Sequence, residues 1–368
     1  MPDLVAIAQT GQAFVDSMRR AWDAGDAVLP VDSRLPAAGI TALLEAMRPR
    51  RIIAIDGSSS ALLESRATEP GDALVVPTSG STGVPKGVVH THSSIQASAR
   101  STSTALGVDP SHDRWLCCLP LSHIAGLAVV SRALTFDMPL EVHERFDADA
   151  VMRAAADGAT LTALVPTALA RIDAAAFRRI IVGGSAAPAY VPENCVMSYG
   201  MTETGSAVVF DGYALPGVQL RIVDDEIQVR GEMLLRCYRD GTDPRTADGW
   251  LATNDAGSID GDGLLTVQGR RGDLIITGGE NVWPAPVEAA LELLASIAEV
   301  AVIGRPDDEW GQLVTAVVVP SDPAAPPSLD ELRDAIRQSL PAFCAPRALE
   351  LRKELPRTAL GKVERRSL

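Results

Sequence analysis

The chain has 368 residues, enough for more than one core, and its 46% hydrophobic and 22% charged residues suit a folded globular protein. A formal net charge of -14 and an aromatic content of 4% argue against a broad nucleic-acid surface, which needs cations and stacking platforms. With no apolar run long enough to cross a bilayer, no signal-peptide pattern, and five cysteines (Cys117, Cys118, Cys195, Cys237, Cys344) without a CxxC pair, the sequence reads as a cytoplasmic protein with reduced thiols.

In chain order, apolar spacing predicts helices over residues 12–25 and 36–48, with a short buried strand Arg51–Asp56 after them. Leu74–Pro77 reads as a strand that runs into a stretch of Ser, Thr and Gly. From there to about residue 200, strands such as Trp115–Leu119 and Arg179–Val182 alternate with alanine-rich helical segments, the pattern of a layered α/β domain. Between residues 217 and 269, short alternating strands (Gln219–Val223, Glu226–Arg230, Leu264–Gln268) and Asp-Gly turns at 240–241, 248–249 and 262–263 predict a small antiparallel β-unit. Beyond Gly269, Val287, Leu291, Leu294 and Ala298 fall on one helical face. Val300–Ile303 and Leu313–Val319 read as strands, and the Pro-rich linker Asp322–Pro327 leads to a capping box, Ser328 with Glu331. The helix it opens buries Leu332, Ile336 and Leu340. A boundary near residues 269–272 therefore divides a large layered α/β domain, 1–269, from a small α+β domain, 270–368.

The segment Thr78-Ser79-Gly80-Ser81-Thr82-Gly83-Val84-Pro85-Lys86-Gly87 carries the strongest chemical signal. Its glycines let backbone amides approach an anion, its hydroxyls add donors, and its lysine adds a cation. The lysine follows proline and no Ser or Thr comes after it, so this is not a Walker A loop. A flexible linker would not need Pro-Lys-Gly and an apolar strand at its end.

TSGSTGVPKG resembles the phosphate-loop signature of the adenylate-forming superfamily, which includes acyl- and aryl-CoA ligases, peptide-synthetase adenylation domains and firefly-type luciferases. Five further segments resemble its later motifs, in the same order: Pro120-Leu121-Ser122-His123, Tyr199-Gly200-Met201-Thr202-Glu203-Thr204, Asp255, Gly269-Arg270 with Gly278-Gly279-Glu280-Asn281, and Pro356–Lys362. The resemblance implies ATP, Mg²⁺ and coenzyme A as ligands and a mobile C-terminal domain, 270–368, and it assigns roles. Thr78, Ser79, Gly80, Ser81, Thr82, Gly83 and Lys86 would hold phosphates. Gly184, Ser185 and the run Ser198, Tyr199, Gly200, Met201, Thr202 would line the adenine and acyl sites. Glu203 would hold Mg²⁺, Asp255 and Arg270 the ribose, and Gly278 and Gly279 a tunnel for pantetheine. His123 would border the acyl pocket and position the carboxylate. Lys362 would stabilise charge as pyrophosphate leaves. Each has a plainer reading when taken singly: solvated Glu203, core-packed Tyr199, a turn-forming Asp255, a surface Arg270, a satisfied core His123, and Lys362 in a basic tail with Arg365 and Arg366.

No carrier-protein domain is expected after Lys362, and the Gly278–Pro284 run resembles aryl- and acyl-CoA ligases. The phosphate loop begins early, at Thr78, an abbreviated form that resembles the o-succinylbenzoate–CoA ligases of menaquinone biosynthesis. A benzoate-type or other acyl-CoA ligase, and a non-catalytic adenylate-binding relative, stay open as alternatives. Arg132, nine residues past His123, is either a snorkelling surface arginine or the partner of a second substrate carboxylate. Two departures from the superfamily pattern stand out: Asn254 replaces the usual glycine before Asp255, and Gly272 occupies the hinge position. The expected partners are small molecules, with no nucleic acid and no membrane segment, and the sequence leaves a homo-oligomer open.

Overall fold

The computed structural model describes residues 1–78, 85–184, 190–357 and 363–368, apart from the side chain of Arg366. By its contacts the chain divides into two compact units, one of residues 1–220 with 229–252, the other of 221–228 with 253–368.

The first unit is built on two seven-stranded sheets, each mixing parallel and antiparallel pairs. One contains Leu4–Ile7, Ala27–Pro30, Asp72–Thr78 and Lys86–Thr91; the other contains Trp115–Cys117, Leu161–Leu164, Arg179–Val182, Cys195–Met201 and Ser206–Phe210. Its largest core joins Val5, Ile7, Leu74 and Val76 of the first sheet to Trp115, Cys117 and Leu161 of the second. Phe14 and Met18 of the helix Gly11–Asp23, Ile95 of His92–Leu106 and Leu127 of Ile124–Thr135 fill the space between. Two further clusters cover the other faces, one with Leu43 and Met47 of the helix Ala37–Met47, the other with Val151 and Ala154 of Ala148–Ala156. This is the expected layered α/β arrangement, and strands with core on both faces explain why the sequence shows apolar runs there rather than alternation. The strand expected over Arg51–Asp56 stops at Ile53, because Ala54 to Gly57 make a turn closed by Gly57 N–H donating to Ala54 O at 2.9 Å.

In the second unit, residues 255–259 of the strand Leu251–Ile259 pair antiparallel with Leu265–Arg270, setting Asp255 opposite Arg270. A five-stranded sheet follows, in which Gly311–Pro320 is central and pairs with the edge strand Ile297–Asp307 as a long hairpin, with Val287, Leu291, Leu332 and Ile336 packed on it. The helix expected to carry Val287, Leu291, Leu294 and Ala298 on one face ends at Leu291. Ile297 opens the hairpin strand, which leaves Ala298 exposed, so an apolar spacing that suits a helix is shared between a helix and a strand. Ser328 caps its helix as expected, accepting from Glu331 N–H at 3.2 Å. The Glu331 carboxylate instead accepts from Ser296 Oγ at 2.6 Å, so the capping box is half formed. All five cysteines are buried free thiols, and burial pushes Cys117 up to about 12 and Cys118 up to about 11. Among the described residues, no helix is long and apolar enough to cross a membrane.

Candidate active site

Asp72–Thr78 runs antiparallel to Lys86–Thr91 with Thr78 opposite Lys86, so the two ends of the Ser/Thr/Gly loop lie side by side. Ser79, Gly80, Ser81, Thr82 and Gly83 lie outside the described residues. A Cβ on Gly87 would stand 2.5 Å from Met47 Sδ and 2.8 Å from Val75 Cγ1, which accounts for the glycine after the lysine. Lys86 is exposed, with its Nζ 5.1 Å from the centre of the Tyr238 ring. The Tyr238 hydroxyl donates to Glu203 Oε1 at 3.1 Å. Burial first, and the Glu203 charge second, hold the Tyr238 phenol above its ordinary range, so it remains a donor. A cation, an aromatic ring and a carboxylate thus stand in series. The sequence reading missed Tyr238. Its signal was a short apolar run before the Asp240-Gly241 turn, which specifies no chemistry.

Glu203 sits on a 3-10 turn, Thr202–Thr204, that follows the strand Cys195–Met201. A bulge between Tyr199 and Gly200 turns the chain there, and a Cβ on Gly200 would run into the Ser206 carbonyl. Thr204 Oγ1 accepts from Met201 N–H at 3.0 Å, and Leu235 N–H donates to Glu203 O at 2.8 Å, fixing the turn from both sides. Tyr199, Met201 and Thr202 are half-buried and Gly200 is exposed. Ser198 Oγ donates to Val182 O at 2.9 Å, and a Cβ on Gly183 would overlap that hydroxyl. Gly184, two residues past the strand Arg179–Val182, has φ +90°, a conformation that favours glycine, while Ser185 lies outside the described residues.

His123 is the N-cap residue of the helix Ile124–Thr135 and is half-buried. Arg132 stands in the last turn of that helix at 2% exposure, which removes the snorkelling reading. Its Nη2 donates to Ser206 Oγ at 2.5 Å and its guanidinium lies 5.6 Å from the Trp115 ring centre. Nε has no hydrogen-bond partner, and no ion pair holds Arg132 among the described residues. Burial lowers its pKa to about 10, which still leaves it charged at neutral pH. With Leu74, Ile95, Ala128 and Gly205 it lines a small cavity. A buried cation without a counter-charge is costly, and it gives an anion reason to bind.

In the second unit Asp255 is buried and pairs with Arg270, Oδ1 to Nε at 2.9 Å. Arg270 Nη1 also donates to Thr253 O at 3.1 Å. Asn254 has φ +60°, so the usual glycine is replaced by a residue that tolerates the left-handed region. Gly278 and Gly279 both have positive φ, 59° and 85°, in the turn between Ile275–Thr277 and Glu280–Val282. A Cβ on Gly278 would lie 2.8 Å from the Trp310 ring, and the Arg347 guanidinium stands 3.5 Å from that ring's centre. Lys362 lies outside the described residues. The residues around it are no loose basic tail: Arg357 and Val363 form an antiparallel bridge, and Arg365 Nη2 donates to both Glu288 oxygens at 2.7 and 2.6 Å.

Among the described residues no cluster of three or more His, Cys, Asp or Glu could cage a metal. A single half-buried carboxylate, Glu203, fits magnesium that arrives with a polyphosphate, since that cation keeps several non-protein oxygens.

The family of AMP-binding enzymes matches residues 58–238, and the AMP-binding enzyme C-terminal domain matches 286–362. The chain is similar to a probable 2-succinylbenzoate–CoA ligase of Mycobacterium tuberculosis, 37% identical over 91% of this chain and 96% of that protein. It is 34% identical to the 2-succinylbenzoate–CoA ligase of Listeria monocytogenes, over 80% of this chain and 69% of the other. Among solved structures, the o-succinylbenzoate CoA synthetase of Bacillus subtilis in complex with its acyl-adenylate intermediate superposes with a TM-score of 0.88 at 29% identity. That match covers 99% of this chain and 87% of the other. The same synthetase with ATP and magnesium ion gives 0.88 at 29%, covering 100% and 89%.

Proposed function

We propose, for a chain that belongs to the family of AMP-binding enzymes, that it adenylates o-succinylbenzoate with ATP and passes the acyl group to coenzyme A. The chain is an ATP-dependent acid–thiol ligase. A carboxylate oxygen attacks the α-phosphorus and pyrophosphate leaves; the thiol sulfur then attacks the acyl carbon, AMP leaves, and the thiol proton passes to solvent. The observation that carries the substrate is Arg132: o-succinylbenzoate has a second carboxylate, and a buried guanidinium with no counter-charge among the described residues is its natural partner.

The loop residues 78–83 and Lys86 hold the phosphates, with Lys86 and Glu203 tied through Tyr238. Magnesium, when bound, withdraws charge from phosphate oxygens, and Glu203 holds it. Tyr199 with Ser198, Gly200, Met201 and Thr202 takes the adenine, beside Gly184 and Ser185. Asp255 and Arg270 take the ribose. His123 borders the reacting carboxylate, Lys362 meets the departing pyrophosphate, and Gly278 and Gly279 admit pantetheine. Residues 272–368, within a C-terminal domain of 270–368, turn about Arg271–Asp273 between the two half-reactions, against a large domain of residues 1–269. In this reading the enzyme works in the cytoplasm, in menaquinone biosynthesis, with small-molecule partners.

ATP–pyrophosphate exchange with a panel of carboxylic acids tests the reading. Exchange should be fastest with o-succinylbenzoate; a faster benzoate makes the chain a benzoate-type ligase, and no exchange with any acid makes it a binding relative.

A further inference from the structure

His90 is fully buried, the mechanism above does not use it, and it lies on the strand that begins with Lys86. Its Nε2 lies 2.7 Å from the carbonyl oxygen of Thr202, the first residue of the turn that carries Glu203. A carbonyl can only accept, so Nε2 bears the hydrogen. In the neutral ring Nδ1 is then the acceptor; Ser94 Oγ lies 3.1 Å from it and 3.1 Å from Thr91 O, and its one hydrogen serves one of the two at a time. Ser94 is itself fixed at the start of the helix His92–Leu106, where it is part of the cap formed with Thr91. Gly205, at φ +69°, ends the same turn, and a Cβ there would stand 3.4 Å from His90 Cε1. The turn is thus held at three places. His90 takes the Thr202 carbonyl, Leu235 N–H takes the Glu203 carbonyl, and the Tyr238 hydroxyl takes the Glu203 carboxylate. Tyr238 and His90 both belong to strands of one sheet, since Cys237–Tyr238 pairs with Val88–Val89. The strand that leaves the phosphate loop therefore also sets where the acidic turn stands.

From this geometry we infer that His90 is a positioning residue for the magnesium carboxylate: its Nε2–H to Thr202 O bond fixes the Glu203 turn in register with the strand of Lys86. The inference rests on the reading of Glu203 as the magnesium ligand. Partners that orient a metal ligand change metal affinity by about 10–100-fold when removed.

The test replaces Mg²⁺ by Mn²⁺ and titrates it against enzyme and α,β-methylene-ATP, with free Mn²⁺ read by electron paramagnetic resonance. His90→Leu, which keeps bulk and loses the donor, should weaken Mn²⁺ binding about 10–100-fold. His90→Gln, whose amide can reach the Thr202 carbonyl, should restore most of it. In pyrophosphate exchange the Mg²⁺ concentration at half-maximal rate should rise for His90→Leu while the KM for the acid stays put. If Glu203→Gln weakens Mn²⁺ but a folded His90→Leu binds it as the wild type does, the inference is wrong and the Glu203 reading stands. If Glu203→Gln also leaves Mn²⁺ binding unchanged, the Glu203 reading itself fails and takes the inference with it. Should His90→Leu not fold, His90→Asn supplies the same arm, because its shorter amide cannot reach the carbonyl.

Discussion

Arg132 shows how much one side chain can add once its surroundings are known. Among the described residues its Nε is unpartnered and its Nη2 meets only a serine hydroxyl, so a substrate carboxylate would supply the missing counter-charge. Breaking a buried pair of this kind costs about 3–5 kcal/mol. Arg132→Ala should therefore lower kcat/KM for o-succinylbenzoate by about two to four orders of magnitude, while the KM for ATP hardly moves. Steady-state kinetics with each substrate varied would check this, and equal kcat/KM for wild type and variant would sink the assignment. Lys362 makes a different prediction, because its charge is needed only while pyrophosphate leaves. Lys362→Ala should slow adenylation by orders of magnitude and spare thioester formation from supplied acyl-adenylate. Rapid-quench measurement of the two half-reactions decides, and an equal fall in both would contradict the role.

At the scale of the element, the turn Arg271–Asp273 is the proposed hinge. Gly272 is exposed, and a Cβ placed on it meets nothing within 4 Å. Gly272→Ala should therefore leave the fold intact. Gly272→Pro fixes φ and should impair one half-reaction far more than the other. An unchanged ratio of the two rates would argue against rotation at this place. The Gly278-Gly279 turn is less tolerant, because Gly278 combines φ +59° with a Trp310 ring that would lie 2.8 Å from any added Cβ. Gly278→Ala should disturb the thioester step more than adenylation, as a raised KM for coenzyme A would show.

For the whole molecule, the buried His90 links stability to pH. Burial pushes it from an ordinary 6.5 down to about 4, so it stays neutral when folded while the unfolded chain takes up a proton first. Stability therefore falls as pH drops below 6.5 and goes on falling to about 4, by a total of about 3 kcal/mol from this group. Carboxylates add their own acid sensitivity, so the difference between wild type and His90→Gln isolates the histidine. Urea midpoints at several pH values between 7.5 and 4.5 should show a steeper acid loss for the wild type, and parallel curves would remove His90 as the cause.

Local chemistry made part of this protein legible in its sequence. The hairpin flanks around the phosphate loop, the Asp-Gly turns and the Ser328 cap follow from residue types acting within a few positions, where backbone sterics and short hydrogen bonds decide. Strand runs such as Arg179–Val182 were legible because burial on both faces demands apolar residues throughout. The end of the helix at Leu291 was not, since Leu294 and Ala298 keep helical spacing while the long hairpin recruits Ile297 into a strand. Whether Arg132 faces water or a cavity could not be read from its spacing to His123, because what buries it comes from other segments, Leu74, Ile95 and Trp115 among them. Tyr238 and His90 carry no motif, and their meaning lies in contacts across 35 and 112 residues of chain. Sequence patterns determined which chemical groups are present and in what order; only the packing of distant strands decided which of them touch, since hydrogen bonds and ion pairs act over a few ångströms of space regardless of separation along the chain.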